Sequence, residues 1–307
     1  MSATGTVVVG VDGTTAGLAA TRWAAEAAQR EGQALRLVHV VPSGTPLRWE
    51  PPLVPADTMR TVGWRSLGHA RTAVYEVVGE SVPVTSQLYV GGRVQGLVAH
   101  ARDAACVVLG SRTRTQVAMP TGSVVAGVAA RTRCPVVVVP ELVPDRAEDA
   151  PVVVGVDDPA GSEELLKAAA HVALAQRRRL VVLHAWSLPA PYADVVSSDD
   201  EASWRKAAAA RLQEAIAAVD LVVGAAGVTV DVRHARAAEA LISVSHTAQE
   251  VLIGRRCVDE PFGYPVGAVA RAVVAHAACP VRVVPLPART TSPSTAEVTD
   301  RRAAPTS

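Results

Sequence analysis

The chain repeats itself at a spacing of 145 residues, and this duplication constrains the fold more than any other feature. Val7 to Asp12, with the letters VVVGVD, return unchanged as Val152 to Asp157. A period of this length is far longer than a solenoid repeat and matches a whole domain. We therefore predict two copies of one domain, residues 1–145 and 146–288. Residues 289–307 are rich in Thr, Ser, Pro and Ala, which predicts a disordered tail.

Each half alternates short valine-rich runs with longer alanine-rich stretches, a pattern typical of βαβ units. The valine runs are continuously apolar, as in parallel strands that helices cover on both faces. The pattern predicts two tandem doubly wound, Rossmann-like α/β units with five parallel strands each, and ligands at the carboxyl ends of the strands. Strands are predicted near 6–11, 35–41, 83–89, 106–109 and 136–139, and near 152–156, 180–185, 228–233, 250–253 and 281–284. Helices are predicted near 15–31, 57–79, 94–103 and 122–132, and near 162–178, 200–219, 237–246 and 266–277.

The duplication also separates structural features from functional ones. A feature present in both copies serves the fold, whereas one that differs serves a single copy. Cys134 and Cys279 occupy matching places before a Pro-Val strand, so we interpret them, and Cys106, as small buried apolar residues. His39 and His184 also match, and we interpret both as structural histidines.

The two apolar strands near 136–139 and 281–284 are predicted to lie at sheet edges. An open apolar edge invites pairing with another strand. We therefore predict that these two edges pair with each other inside the chain. The duplication is also expected to give two separate sheets, so that one continuous sheet would count against it.

Composition and missing motifs exclude several classes of protein. A formal net charge of +1 lacks the positive field of a general nucleic-acid binder. No apolar run approaches the length of a membrane span, and the first residues lack a signal-peptide layout, so we expect a cytoplasmic protein without membrane or nucleic-acid partners. The chain has no GxGxxG fingerprint, Walker P-loop, GxSxG elbow or zinc-ligand spacing. No catalytic residue and no metal ligand is therefore predicted.

Asp12 and Asp157 stand at the end of the first strand of each copy. At this end of a doubly wound sheet, a carboxylate can accept a hydrogen bond from a base or a ribose. The alternative is that each aspartate only holds the turn before the next helix.

A glycine- and arginine-containing stretch follows the fourth strand of the first copy. Gly110 comes first, Arg112 and Arg114 follow, and Gly122-Ser123 opens a helix. Glycine lets backbone amides approach a ligand, and the free amides of a helix start bind anions. This favours a triphosphate cradle without a lysine. Alternatively, Ser123 only caps the helix and the arginines only face solvent.

The first copy contains four short motifs in a fixed order: Gly-Val-Asp, Leu-Val-His-Val, Val-Val-Leu-Gly-Ser-Arg and Cys-Pro-Val-Val-Val-Val. This order resembles the universal stress protein family, and the two copies resemble its tandem form over about residues 5–286. The resemblance implies a doubly wound fold with strand order 3-2-1-4-5 and pairing through the fifth strand. Some members bind ATP through a Gly-x-x-Gly, nine residues, Gly-Ser signature, whereas others lack the signature and bind none.

Neither copy matches this signature fully. In the first copy Thr113 replaces the second glycine, and eight residues instead of nine separate it from Gly122. In the second copy the spacing is kept, but Cys257 replaces a glycine and Ala268 replaces the serine. The loop of the second copy also contains Asp259 beside Glu260. These carboxylates repel phosphates, an effect that Arg255 and Arg256 partly offset.

The resemblance implies a non-catalytic regulatory or sensory protein of the stress response that binds ATP in at least one domain, more readily the first. The alternative is a pseudo-dimeric scaffold with nucleotide-free sites that works through unknown protein partners. A nucleotide hydrolase is disfavoured, because no acid–base pair or nucleophile lies near the cradle. Whether whole chains form a homodimer stays open. Carried over position by position, ligand contacts come from Asp12, Val40, Gly110, Gly122, Ser123 and Val124 in the first copy, and from Asp157, Ala185, Gly254 and Gly267 in the second.

Overall fold

A computed structural model describes residues 5–43, 55–112, 124–188, 197–219, 227–256 and 266–287. The predicted tail over 289–307 lies outside these residues. The first half contains β1 (Thr6–Gly10), α1 (Thr15–Glu31), β2 (Ala34–Val41), α2 (Ala56–Val78), β3 (Val84–Val90), α3 (Arg93–His100), β4 (Ala104–Ser111), α4 (Val124–Arg131) and β5 (Val136–Pro140). The second half contains β6 (Val152–Gly155), a 3-10 turn (Pro159–Gly161), α5 (Glu163–Gln176), β7 (Leu180–Trp186), α6 (Ser198–Ala218), β8 (Val228–His234), α7 (Ala237–Ser245), β9 (Glu250–Arg256), α8 (Ala268–His276) and β10 (Val281–Leu286).

The strands form one sheet with the order β3-β2-β1-β4-β5-β10-β9-β6-β7-β8. Each half keeps five parallel strands in the predicted order 3-2-1-4-5. The two halves join where β5 pairs with β10 antiparallel, with Val136 opposite Val283 and Val138 opposite Val281. The predicted pairing of the edges is thereby confirmed. The expectation of two separate sheets is wrong, because that same pairing makes the sheet continuous. The domain boundary at residue 145 falls between β5 and β6 and stays a prediction.

The central strands are buried on both faces, as their continuous valine runs predict. Val7, Val8 and Val9 on β1 are at most 1% exposed. On one face, a single hydrophobic core extends across both halves and includes Val138 of β5 and Val281 of β10. On the other face, each half has a core of its own. The two halves therefore share one hydrophobic core on one face of the sheet and have separate cores on the other.

Arg255 links the two halves at the end of β9. This side chain is 7% exposed, and its guanidinium donates hydrogen bonds to the carbonyl oxygens of Ala130 at 3.3 Å and Thr132 at 2.9 Å. Both carbonyls lie at the carboxyl end of α4 in the other half. The carboxyl end of a helix leaves carbonyl groups without helical partners and carries a partial negative charge. The buried guanidinium donates hydrogen bonds to these carbonyls and neutralises that charge.

We expect Arg255→Gln to lower the free energy of unfolding by about 2 kcal/mol, because hydrogen bonds to a charged group are lost in a buried place. Urea unfolding followed by circular dichroism measures this change. The matched control is Arg236→Gln, since the Arg236 side chain is 80% exposed and its replacement should change stability by less than about 0.5 kcal/mol. Equal unfolding midpoints for the two variants would contradict a role for Arg255 in joining the halves.

Candidate functional site

In the first half, the carboxyl ends of β1, β2 and β4 surround a cavity of about 340 Å³. Four of the six residues predicted for this site line it, namely Asp12, Val40, Gly110 and Val124. The other two, Gly122 and Ser123, lie outside the described residues, as does Arg114. The sequence therefore predicted the location of this cavity at the expected edge of the sheet.

Gly110 is needed where β4 passes the start of α1. A Cβ atom at this position would lie 2.3 Å from the carbonyl oxygen of Ala16 and 2.8 Å from the backbone nitrogen of Gly17. Both are backbone atoms and cannot turn aside. This glycine thus allows the first helix to approach the sheet, a packing role that the ligand interpretation did not include.

The carboxylate of Asp12 holds the turn that leads into α1. Its Oδ1 accepts hydrogen bonds from the backbone nitrogen of Thr14 at 3.0 Å and from the Thr14 hydroxyl at 2.7 Å. The Thr14 hydroxyl in turn accepts from the Gly17 nitrogen at 3.1 Å and caps the helix. The turn-holding alternative for Asp12 is therefore present, and it uses one of the two carboxylate oxygens.

The matching histidines make the same hydrogen bond in both copies. His39 Nδ1 lies 2.8 Å from the Val11 carbonyl oxygen, and His184 Nδ1 lies 2.9 Å from that of Val156. Each bond ties the second strand of its half to the segment after the first strand. This confirms the interpretation of both as structural histidines.

Two arginines bring positive charge to the first cavity. Arg112 follows β4, and Arg93 opens α3; both side chains are exposed at the cavity rim. The sequence analysis identified Arg112 but missed Arg93. The missed signal is positional: α3 follows β3, so its first residue lies at the same edge of the sheet as the other site residues.

The second half has an equivalent cavity of about 460 Å³, and all four residues predicted there line it: Asp157, Ala185, Gly254 and Gly267. The segment before the first helix also differs: α5 starts six residues after Asp157, whereas α1 starts three after Asp12. The 3-10 turn Pro159–Gly161 occupies the segment between Asp157 and the start of α5, and the two copies are equally long here.

The two cavities differ in the chemistry of their walls. Ala237 opens α7 in the second half, where Arg93 opens α3 in the first, and Ala268 takes the place of Ser123. Arg255 lines the second cavity, but its guanidinium donates to α4 as described above. In addition, the first turn of α5 carries Glu163 and Glu164, whereas the first turn of α1 carries no acid.

Three cysteines lie in the described part of the chain. Burial raises the pKa of the Cys106 and Cys279 thiols to about 12, and that of Cys134 to about 11. Cys106 and Cys279 are buried as predicted, whereas Cys134 is only partly buried. Cys257 lies outside the described residues. All three described thiols are free and stay protonated at neutral pH.

Over the described ranges, no cluster of three or more His, Cys, Asp or Glu side chains could hold a metal ion. None of the helices that the structure describes is long and apolar enough to cross a membrane.

Comparison with known proteins gives one consistent result. The family model of universal stress proteins matches residues 4–140 and again residues 150–285. A universal stress protein of Mycobacterium tuberculosis is 31% identical over 92% of this chain and 95% of its own length. A second one from the same organism is 31% identical over 90% of this chain and 96% of its own length. The crystal structure of a universal stress protein from Archaeoglobus fulgidus shares the fold, with a TM-score of 0.65 and 15% identity over 91% of this chain and 98% of that chain.

The equivalent glycines at the ends of β4 and β9 predict unequal responses to the same substitution. Gly110→Ala forces a backbone clash with Ala16, and we expect a loss of about 2 kcal/mol or more in the free energy of unfolding. At Gly254 the nearest atom to a new Cβ is the Leu286 side-chain Cδ1 at 2.5 Å, which can move. Gly254→Ala should therefore cost about 1 kcal/mol or less. Chemical unfolding of both variants measures the difference, and a larger loss for Gly254→Ala would refute this account.

Proposed function

Because this chain belongs to the universal stress protein family, we propose that it is a regulatory or sensory protein of the stress response that binds an adenine nucleotide, ATP, in its first half. One observation carries the proposal. The first cavity combines a carboxylate, Asp12, with two guanidinium groups, Arg93 and Arg112, at the carboxyl ends of a doubly wound sheet. Its volume lies in the range of small-molecule sites.

The walls of this cavity suit the parts of a nucleotide. Val40 is partly exposed in the lining and offers apolar surface for a base. The Oδ2 oxygen of Asp12 takes no part in the turn at Thr14, so we assign it to a ribose or base donor. Arg93 and Arg112 bring positive charge for the phosphates.

The phosphate end of the site rests on the start of α4. Val124 is the first residue of that helix and lines the cavity. Backbone amides at a helix start are donors for anions. We assign Gly122 and Ser123, which precede Val124 in the chain, to the same phosphate contact. A negative charge near this edge, the carboxylate of Glu141, would oppose a phosphate. It accepts a hydrogen bond from the Thr15 hydroxyl at the start of α1.

The contrast between the cavities supports nucleotide binding in the first half rather than the second. A triphosphate needs donors and positive charge. In the second half, Ala237 and Ala268 remove one cation and one hydroxyl donor.

We also propose that the protein does not hydrolyse the nucleotide. His39 is a potential base at this edge, but its Nδ1 is bonded to the Val11 carbonyl. Its ring also faces Gly63, where a Cβ would lie 2.7 Å from Cδ2. Such a packed imidazole is poorly placed to activate water.

A scaffold without nucleotide is the second candidate function. It is favoured by the departure of Thr113 from the glycine of the signature and by the use of Asp12 in its own turn. In that case the chain would act through protein partners. The titration below separates the two candidates.

We expect isothermal titration to show ATP binding to the full chain, with the affinity reduced about tenfold or more by Asp12→Asn, because a charged acceptor is lost. Asparagine keeps one oxygen for Thr14, so the turn is retained, and a thermal melt checks this. The matched control is Asp157→Asn in the second half, which should leave the titration unchanged. No heat for the wild type would favour the scaffold, and equal losses for both variants would contradict the preference for the first half.

Phosphate release from ATP should not exceed the blank without protein, because His39, the imidazole that lines the described part of the first cavity, is bonded to Val11 and packed against Gly63. A malachite-green assay over several hours measures it. Release above the blank that Ser123→Ala abolishes would overturn the non-catalytic assignment.

A further inference from the structure

Where the two halves meet, one pair of equivalent residues lies face to face. Arg282 of β10 lies directly opposite Val137 of β5, and these positions are 145 residues apart, the repeat spacing. The neighbouring pairs are Val136 with Val283 and Val138 with Val281, so equivalents are exchanged symmetrically around the central pair. A pseudo-twofold axis therefore passes between Val137 and Arg282.

The residues at this axis differ in chemistry, although their neighbours are all valine. Arg282 is 9% exposed, and its Nε donates a hydrogen bond to Glu250 Oε1 at 2.7 Å. Glu250 is fully buried and also accepts from Gln176 Nε2 at 2.6 Å. Burial acts to lower the pKa of Arg282, but the Glu250 carboxylate raises it overall. The guanidinium is therefore a buried cation with one carboxylate partner in its own half.

The other half covers this cation with an aromatic ring. The Arg282 guanidinium lies 5.9 Å from the ring centroid of Trp23 on α1, a favourable cation–π distance. Ala168 on α5 is 145 residues after Trp23 and so takes its place in the second half. The first half thus supplies both the small axis residue, Val137, and the aromatic cover, Trp23. The second half supplies the charge.

We propose that Arg282 selects the partner of the edge strand β10: it permits pairing with β5 and opposes pairing of two copies of β10. If two β10 strands paired in the observed register, one Arg282 would lie directly opposite the other, with the two Cα atoms about 5 Å apart. Each would keep its own Glu250, but four charges would be buried in one layer and Ala168 would stand where Trp23 covers the guanidinium. Burying charge without favourable contacts is costly.

The first half carries no such restriction. Two β5 strands in the same register would place Val137 opposite Val137, with no buried charge. The surface at β10 therefore fits an apolar edge strand that has a small residue at the axis. The helix above that strand must also carry an aromatic side chain. The first half of the same chain meets these conditions.

The full chain itself can reproduce the contact between the two axis residues of each self-pairing. Val137→Arg places arginine opposite arginine, as in a pair of β10 strands, whereas Arg282→Val places valine opposite valine, as in a pair of β5 strands. We expect Val137→Arg to reduce the folding equilibrium constant at least about tenfold more in the wild-type background than in the Arg282→Val background. Urea unfolding of the four chains closes the cycle, and an equal effect in both backgrounds would refute the proposal.

Association of whole chains tests partner choice directly. Each chain is refolded from denaturant at high concentration and its mass distribution is measured by native mass spectrometry. Arg282→Val should shift this distribution towards species with more chains than the wild type, because self-pairing is then unopposed. The double variant Arg282→Val, Glu250→Gln should do the same, which separates the effect from an uncompensated carboxylate. Glu250→Gln alone should match the wild type.

Two outcomes would overturn partner selection by Arg282. One is a mass distribution of Arg282→Val identical to that of the wild type. The other is association of Glu250→Gln equal to that of Arg282→Val, since loss of stability alone would then explain it.

Discussion

The antiparallel contact between β5 and β10 is the interaction on which the rest of the structure depends. Each half ends its sheet in a valine strand whose backbone groups and apolar side chains would otherwise face water. Pairing the strands satisfies the backbone groups and merges the cores on one face of the sheet. Because the strands of the two halves then run in opposite directions, the two cavities open at opposite edges of the sheet. α4 lies between them: its first residue, Val124, lines the first cavity, and its carboxyl end accepts hydrogen bonds from Arg255 of the second.

The same backbone arrangement supports two cavities of different chemistry. Sheet and helices place Asp12 and Asp157, Val40 and Ala185, and Gly110 and Gly254 at equivalent points. The differences lie in side chains at helix starts, where Arg93 is replaced by Ala237. The aspartate after the first strand is thus shared, whereas the cation at the helix start after the third strand is not. We therefore expect either that the two cavities bind different ligands or that one of them binds no ligand.

The order of elements and the location of the cavities followed from the sequence, because they depend on local patterns. Valine runs identify buried parallel strands, and strand ends in such a sheet share one edge. The packing role of Gly110 did not follow, since it depends on the distance between β4 and α1. Arg255 was expected to offset the acids of the second site, but its guanidinium is bonded to α4, and Arg282 was missed. A sequence does not show that an arginine is buried against a carbonyl or a tryptophan of the other half. Two separate sheets were wrongly expected, although the predicted pairing of the edges already required one continuous sheet.

A duplicated domain meets a problem of partner choice that a charge at the axis solves with one residue. Two equivalent edges allow three pairings: first with first, second with second, and first with second. A residue away from the axis faces a different position of the partner strand, so two copies of one side chain are not brought face to face. A residue on the axis faces its own copy in a self-pairing, so Arg282 enters twice in the second-with-second pair, once in the observed pair and not at all in the first-with-first pair. Since a buried ion pair adds little to stability by itself, discrimination between pairings is the better physical account of a charge among valines.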